Sequence, residues 1–240
     1  MNKTDIHSHI LFNVDDGSKS IKESICLLQK LKNIGFTDVI LTPHYINGSS
    51  YNISNDKKRE HFNILKEELK KNKLDINIYL GNEIFINNNI NNLIKEDVIS
   101  TLNNSKYILI ELPFHNPILN LDDIIYELKY NNLIPIIAHP ERYTYFQKNY
   151  KEVDKLREEG VLFQGNYLSI IGGYGSLSKK LFKYMLKNKY IDFLGTDIHS
   201  LNNLSVIDNY DKIIKKIKKV CGEEYYQVII NNCNNVLKNI

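Results

Sequence analysis

Five short segments of the 240-residue chain carry histidine or carboxylate in patterns that can hold metal ions: Asp5-Ile6-His7-Ser8-His9, Thr42-Pro43-His44, Gly81-Asn82-Glu83, Ala138-His139-Pro140-Glu141-Arg142-Tyr143 and Gly195-Thr196-Asp197-Ile198-His199. Imidazole nitrogen and carboxylate oxygen together suit zinc, manganese or iron. His7 and His9 stand two apart, and side chains two apart in extended backbone share a face, so both can reach one ion. Asp197 and His199 repeat that spacing. His44 and His139 each close an apolar run beside a proline that stiffens the turn. Glu83 ends an apolar run, and Glu111 interrupts the run from Tyr107 to Leu112; a carboxylate in either place is costly unless paired or bound to a cation. Each residue alone has an ordinary explanation as a loop histidine, a core histidine tied to backbone or a capping acid. Their recurrence at the ends of apolar runs points to a multi-metal hydrolase.

Further candidates flank these segments. In Val14-Asp15-Asp16-Gly17, Asp16 can complete another cation site, although paired acids before Ser18 also suit a helix N-terminus. Arg142 lies three residues past His139, and its guanidinium fork suits an anionic substrate; a surface ion pair is the alternative. His61 sits in a polar helical run and is read as solvated. His115 follows Glu111 closely and stays unassigned.

The elements that must position these groups alternate. Strand-length apolar runs are expected at 3–7, 37–42, 76–82, 106–112, 133–138, 161–166 and 191–196. Helical periodicity falls near 19–33, 56–72, 120–131, 150–159, 176–188, 207–219 and 222–236. Ser18 or Ser20 can cap the first helix, and Asn55-Asp56 the second. The stretch from Glu83 to Ser105 is the least defined. Alternation of this kind predicts a mostly parallel α/β sheet covered on both faces. Most of the strands deliver a polar candidate at their C-terminal ends, and a closed barrel gathers such ends at one mouth where an open sheet strings them along an edge. The expected architecture is a distorted seven-stranded (β/α) barrel in one domain spanning 1–240.

Composition narrows the class. A net charge of +3, with lysines dispersed among acids and asparagines, does not suggest nucleic-acid binding. No secretory leader and no apolar run long enough to span a bilayer is evident, so a cytoplasmic protein that meets membranes only through a partner is expected. The three cysteines, Cys26, Cys221 and Cys233, form no CxxC pair and begin no Cys-x5-Arg phosphatase loop; they are expected to be reduced and structural.

In this order the motifs resemble the polymerase and histidinol phosphatase (PHP) superfamily. Within it, Asp5-Ile6-His7-Ser8-His9-Ile10, Val14-Asp15-Asp16-Gly17 and Ala138-His139-Pro140-Glu141-Arg142-Tyr143 resemble the bacterial manganese-dependent tyrosine-protein phosphatases of the CpsB/YwqE type. The resemblance spans essentially the whole chain. It implies a PHP-type barrel with up to three manganese ions, with iron, zinc or magnesium as alternatives. One ion would take His7, His9, Glu83 and Asp197. A second would share Glu83 and add Glu111 and His139, and a third would take Asp16, His44 and His199. Arg142 would face the substrate phosphate. The implied substrate is a phosphotyrosine protein, a membrane-associated bacterial tyrosine kinase controlling capsule or exopolysaccharide synthesis, and an oligomer is compatible with it. Gln164-Gly165-Asn166-Tyr167-Leu168-Ser169 resembles a family segment with Gln and Asn before a Ser but differs in its interior, and Asn231-Asn232-Cys233-Asn234-Asn235 departs where relatives often carry Asn-Pro. Two other readings are a PHP phosphoesterase for a small ester such as histidinol phosphate, and a non-catalytic regulatory module.

Overall fold

The computed structural model describes residues 2–86, 93 and 98–238. Among the described residues nine short strands carry the fold: β1 Thr4–Asp5, β2 Asp38–Leu41, β3 His44–Tyr45, β4 Asn77–Leu80, β5 Glu83–Phe85, β6 Tyr107–Glu111, β7 Ile134–Ala138, β8 Leu162–Asn166 and β9 Phe193–Gly195. All pairings are parallel, in the orders β1-β2-β4 and β3-β5-β6-β7-β8-β9. β1 and β9 meet through a bridge between Ser8 and Ile198, and the His9 N–H donates to the Ile198 carbonyl at 2.9 Å. Where a distorted seven-stranded barrel is expected, the described residues form a curled parallel sheet in two hydrogen-bonded pieces.

The division has a local cause. The expected runs at 37–42 and 76–82 each break and resume as a second strand. Pro43 has no N–H to give to a ladder. The Pro43 carbonyl still accepts, from the Asn82 side chain at 3.0 Å and from the Glu83 N–H at 3.2 Å, joining the two breaks. Both kinks redirect the chain just where His44 and Glu83 begin the new strands.

Helices cover the outer faces: α1 Ile21–Asn33, α2 Asn55–Lys71, α3 Leu121–Tyr130, α4 Thr144–Lys148, α5 Lys151–Glu158, α6 Gly175–Lys187, α7 Ser205–Asp208, α8 Tyr210–Cys221 and α9 Glu223–Asn235. α1 begins at Ser20, whose hydroxyl accepts from the Glu23 N–H, and it buries Leu27, Leu28 and Leu31. The cap of α2 is Ser54, which accepts from the Lys57 N–H, and not Asn55-Asp56, which are already helical. The helix expected at 207–219 is two, α7 and α8. The stretch from Glu83 to Ser105, expected to hold an extended excursion and a short helix, has a 3-10 turn at 102–104; the 3-10 turns at 140–142 and 167–171 and the short α4 have no counterpart in the sequence reading. Within the undefined stretch, β5 opens at Glu83; residues 87–92 and 94–97 lie outside the described set. β6 and β7 place Ile108, Leu109, Ile110, Ile136 and Ile137 in the core with no exposure, as strands covered on both faces require. α9 packs on β9 and β1, burying Cys233 against Leu194. All three cysteines are free. No helix among the described residues is long and apolar enough to cross a membrane.

Candidate metal centre

His7 and His9 follow β1 with no side-chain exposure, and their Nε2 atoms stand 3.2 Å apart. Glu83 Oε2, from the start of β5, lies 3.2 Å from each of them. Asp197 Oδ1, just past β9, lies 3.4 Å from His7 Nε2 and 3.5 Å from His9 Nε2. A tetrahedral ion with bonds of about 2.1 Å needs donors about 3.4 Å apart, so these four atoms outline such a cage. Around Glu83 the donor set widens. His139 Nε2 lies 2.9 Å from Glu83 Oε1 and 3.7 Å from Glu111 Oε1, while His44 Nδ1 lies 3.1 Å from Glu83 Oε2 and 3.9 Å from Glu111 Oε2. Outermost, Asp16 Oδ1 stands 3.6 Å from His44 Nε2 and 3.7 Å from His199 Nε2. The nine carboxylate and histidine candidates thus converge in overlapping groups.

Hydrogen bonds on the far sides of the rings decide what the near sides offer. His7 Nδ1 lies 2.7 Å from Gln164 Oε1, and the Gln164 amide is oriented by donating to Asn166 Oδ1. His9 Nδ1 lies 2.7 Å from Asp15 Oδ2. Both Nδ1 atoms therefore carry hydrogen, and both Nε2 lone pairs face each other and two carboxylates. Bare lone pairs this close repel unless a cation lies between them. Among the described residues, Glu83 Oε2 and His44 Nδ1 are also buried without a hydrogen-bond partner. The donor chemistry and spacing therefore fit divalent ions.

The titration pattern expresses the same demand. Burial alone would lower His7, but Glu83 and Asp197 overcome it and hold the imidazole up at about 9. His9, also opposed by burial, is raised well above its ordinary value by Asp15 and Glu83. In the metal-free chain, protons supply the positive charge that these carboxylates require; a metal replaces them. Burial and then Arg142 push His139 down to about 4, and burial first of all lowers His44 and His199, so these three stay neutral, the form that ligates. Glu111 is raised to about 9 by burial and by Glu83 and Asp197.

Arg142 follows His139 in the 3-10 turn and donates to Asp197 Oδ2 at 2.9 Å. Its guanidinium carbon lies 4.8 Å from the ring centre of Phe114 and 4.6 Å from that of Tyr174, held between two aromatic faces. A cavity of about 170 Å³ opens beside it, lined by Tyr174, Leu168, Val206, Asp197 and His199 among others. The backbones of His139, at φ 33°, and Asp197, at φ 53°, are left-handed; such strain costs of order 1–3 kcal/mol and collects at functional sites. His61 departs from expectation: its Nδ1 lies 3.0 Å from the Phe12 carbonyl oxygen and its ring stacks on Phe12. His115 is exposed in the loop after β6.

Several groups that hold the centre had escaped notice. Asp15 is buried where Asp16 is exposed: it accepts from the His44 N–H at 2.9 Å and from the Gly17 N–H at 2.9 Å while orienting His9. Gly17 leaves no room for a side chain, since a Cβ there would lie 2.0 Å from the His9 carbonyl oxygen. Asn166 donates to Asp197 Oδ2 at 2.7 Å. Buried Glu141 accepts from the Asn166 N–H at 2.9 Å and the Ser169 hydroxyl at 2.6 Å, tying the Arg142 turn to the end of β8. Asp5 accepts from the Thr196 N–H at 2.9 Å and so locks β1 to the segment bearing Asp197. Asp5, Asp15, Gly17 and Glu141 stand within the quoted motifs and Gln164 and Asn166 within the 164–169 segment, but nothing in the sequence assigns any of them a partner.

Residues 3–238 match the model of the family described as capsular polysaccharide synthesis, CpsB/CapC. CapC of Staphylococcus aureus is 37% identical over 199 residues, covering 83% of this chain and 78% of that protein. Tyrosine-protein phosphatase CpsB of Streptococcus pneumoniae is 31% identical over 219 residues, covering 88% and 90%. Among solved structures, a chain from the crystal structures of YwqE from Bacillus subtilis and CpsB from Streptococcus pneumoniae, metal-dependent tyrosine phosphatases, superposes with a TM-score of 0.91 at 28% identity, over 98% of this chain and 94% of that one. Histidinol phosphate phosphatase from Lactococcus lactis superposes with a TM-score of 0.58 at 14% identity, over 90% and 94%, a likeness of fold. With 3–238 matched, the chain belongs to the CpsB/CapC family of capsular polysaccharide synthesis.

Proposed function

We propose that this chain is a metal-dependent protein-tyrosine phosphatase. The observation that carries the reading is the cage formed by His7, His9, Glu83 and Asp197, whose imidazoles are fixed with their lone pairs inward, beside an arginine able to receive phosphate. The ligand assignment we put forward is His7, His9, Glu83 and Asp197 for one ion, Glu83, Glu111 and His139 for a second, and Asp16, His44 and His199 for a third, with manganese as the physiological metal. The two sheet pieces are read as one distorted seven-stranded PHP-type barrel, supported by the Ser8–Ile198 bridge, and 1–240 as one phosphoesterase domain. A cytoplasmic setting and a membrane-associated tyrosine kinase of capsule synthesis as substrate belong to the same proposal.

When bound, divalent ions lower the pKa of water and compensate charge on the phosphoryl oxygens. The chain's own residues do the rest. Gln164 and Asp15 hold His7 and His9 in one tautomer, and Asn166 holds Asp197 from behind. Arg142, stiffened between Phe114 and Tyr174, presents donors to the phosphate and stabilises charge that grows during transfer. Burial and then Arg142 hold His139 down at about 4, in the neutral form that ligates.

The test is phosphate release by metal-stripped protein titrated with manganese, comparing a phosphotyrosine peptide with histidinol phosphate. Manganese-dependent turnover selective for the peptide is expected. Selective turnover of histidinol phosphate would replace the substrate and keep the metal centre; turnover of neither, with metal shown to bind, would remove the phosphatase reading.

A further inference from the structure

Two helices far apart in sequence build one cationic face. α6 and α8 pack together and between them carry nine lysines and one acid, a formal +8, whereas the whole chain is only +3. α6 contains no acid at all. The single acid of α8, Asp211, faces Lys3 elsewhere on the molecule, and Lys218 is occupied by Glu223 at 3.0 Å. Among the described residues, none of Lys179, Lys183, Lys212 and Lys216 makes an ion pair. Where the two helices pack, Lys216 is pushed below its ordinary value by desolvation and by the like charges of Lys179, Lys212 and Lys183, so cations from both helices act on it. Ordinary surfaces intersperse the two signs; here repulsion stands uncompensated.

The face also has a direction. α6 starts immediately after Tyr174, whose ring covers Arg142 at the mouth of the metal centre. The Lys179 side chain lies over Gly172, 3.7 Å from where a Cβ would stand, just before that tyrosine. On α6, Lys179, Lys183 and Lys187 recur every fourth residue and so line one side of the helix, about 6 Å apart. A chain leaving the phosphate site across Tyr174 therefore meets Lys179 first and can continue along a row of cations.

We infer that the α6–α8 lysine face is a docking surface for an acidic or further phosphorylated stretch of the polypeptide whose phosphotyrosine occupies the metal centre. The inference rests on the phosphatase reading and deepens it. The face selects among phosphotyrosine proteins by charge beyond the reacting residue and concentrates the acidic ones at the mouth. Its continuity with the Arg142 rim favours a peptide over other polyanions.

The experiment uses the full chain loaded with manganese and two phosphotyrosine peptides of equal length, one flanked by Asp and Glu, the other by Asn and Gln, with p-nitrophenyl phosphate as a substrate too small to reach the face. At low salt the acidic peptide is expected to have a kcat/KM about tenfold higher. That advantage disappears in 0.5 M salt, a concentration at which exposed charges are screened within about 5 Å, and in the variant Lys179→Glu/Lys183→Glu/Lys216→Glu, while p-nitrophenyl phosphate turnover stays unchanged. Equal rates for the two peptides in the wild type, or a preference surviving in the variant, would overturn the inference. So would binding of anionic vesicles or duplex DNA that is lost in the variant while the peptide preference persists, since the face would then serve that polyanion. If no substrate is turned over, the phosphatase reading fails separately, and anisotropy of the labelled acidic peptide on wild type and variant still tests the face.

Discussion

At the residue scale the centre depends on which imidazole nitrogen is bare. Replacing His139 by alanine removes a neutral donor facing both Glu83 and Glu111; phosphate release is expected to fall by more than about 10³-fold, and a well-folded variant as active as wild type would sink its role. Asp15 acts one step back. Asp15→Asn keeps the size but lets either amide end face His9, so the tautomer is no longer enforced. Metal affinity is expected to drop about 10–100-fold, read by calorimetric titration with manganese; an unaltered affinity would show that Gly17 and His44 alone hold the loop. The ligands were legible from type and position, because few roles suit a carboxylate or imidazole at the end of an apolar strand. Asp15 was not: two adjacent acids look alike until the chain folds, and only then does one turn inward to His9 while its neighbour stays half in water.

At the element scale the site is built by interrupted strands and close approaches. Gly17→Ala is expected to displace the β1–α1 loop, because His9 backbone occupies the space of the new methyl group. Loss of tight metal binding, followed by equilibrium dialysis, together with a lower Tm would bear this out, whereas wild-type metal content would contradict it. At α2 a milder change is expected. Ser54→Ala deletes the cap to the Lys57 N–H at a cost of about 1 kcal/mol, seen as a lower urea midpoint with unchanged slope and unaltered metal content. The periodicity placed most elements to within a residue or two, yet it missed the breaks after Leu41 and Leu80. Whether Pro43, which has no N–H to donate, ends a strand or merely kinks it depends on what its carbonyl meets, and here that is the Asn82 amide, 39 residues away.

At the scale of the molecule, folding concentrates charge that metal must balance. In the metal-free chain His7 is held at about 9 against an ordinary 6.5, and Glu111 at about 9 against 4.5. Each binds a proton in the folded state that the unfolded chain has already released. The His7 contribution is complete below about pH 6.5 and is lost as pH rises through 9; the Glu111 shift destabilises progressively from about 4.5 up to 9. Glu83 and Asp197, both depressed with burial opposing and His7 leading the lowering, act oppositely: their contribution is present above the ordinary carboxylate range and lost in acid. The metal-free protein should therefore lose stability between pH 6.5 and 9, and manganese, displacing those protons, should raise Tm more at pH 8.5 than at pH 6. Calorimetric scans at the two pH values check this; an equal or smaller gain at pH 8.5 would contradict it.

What the amino-acid order determined by itself was the donor set and its local direction, since alternation along a strand places His7 beside His9 and the ends of apolar runs mark where polar groups emerge. What only the tertiary structure decided were the relations between distant positions. Gln164 fixes the His7 tautomer from 157 residues away, Glu83 becomes the hub of four histidines, and lysines that look dispersed along the chain become a single face when α6 meets α8. The physical reason is register. A one-residue shift in how parallel strands pair, or a different rotation of two packed helices, would leave every local pattern intact and bring different side chains together.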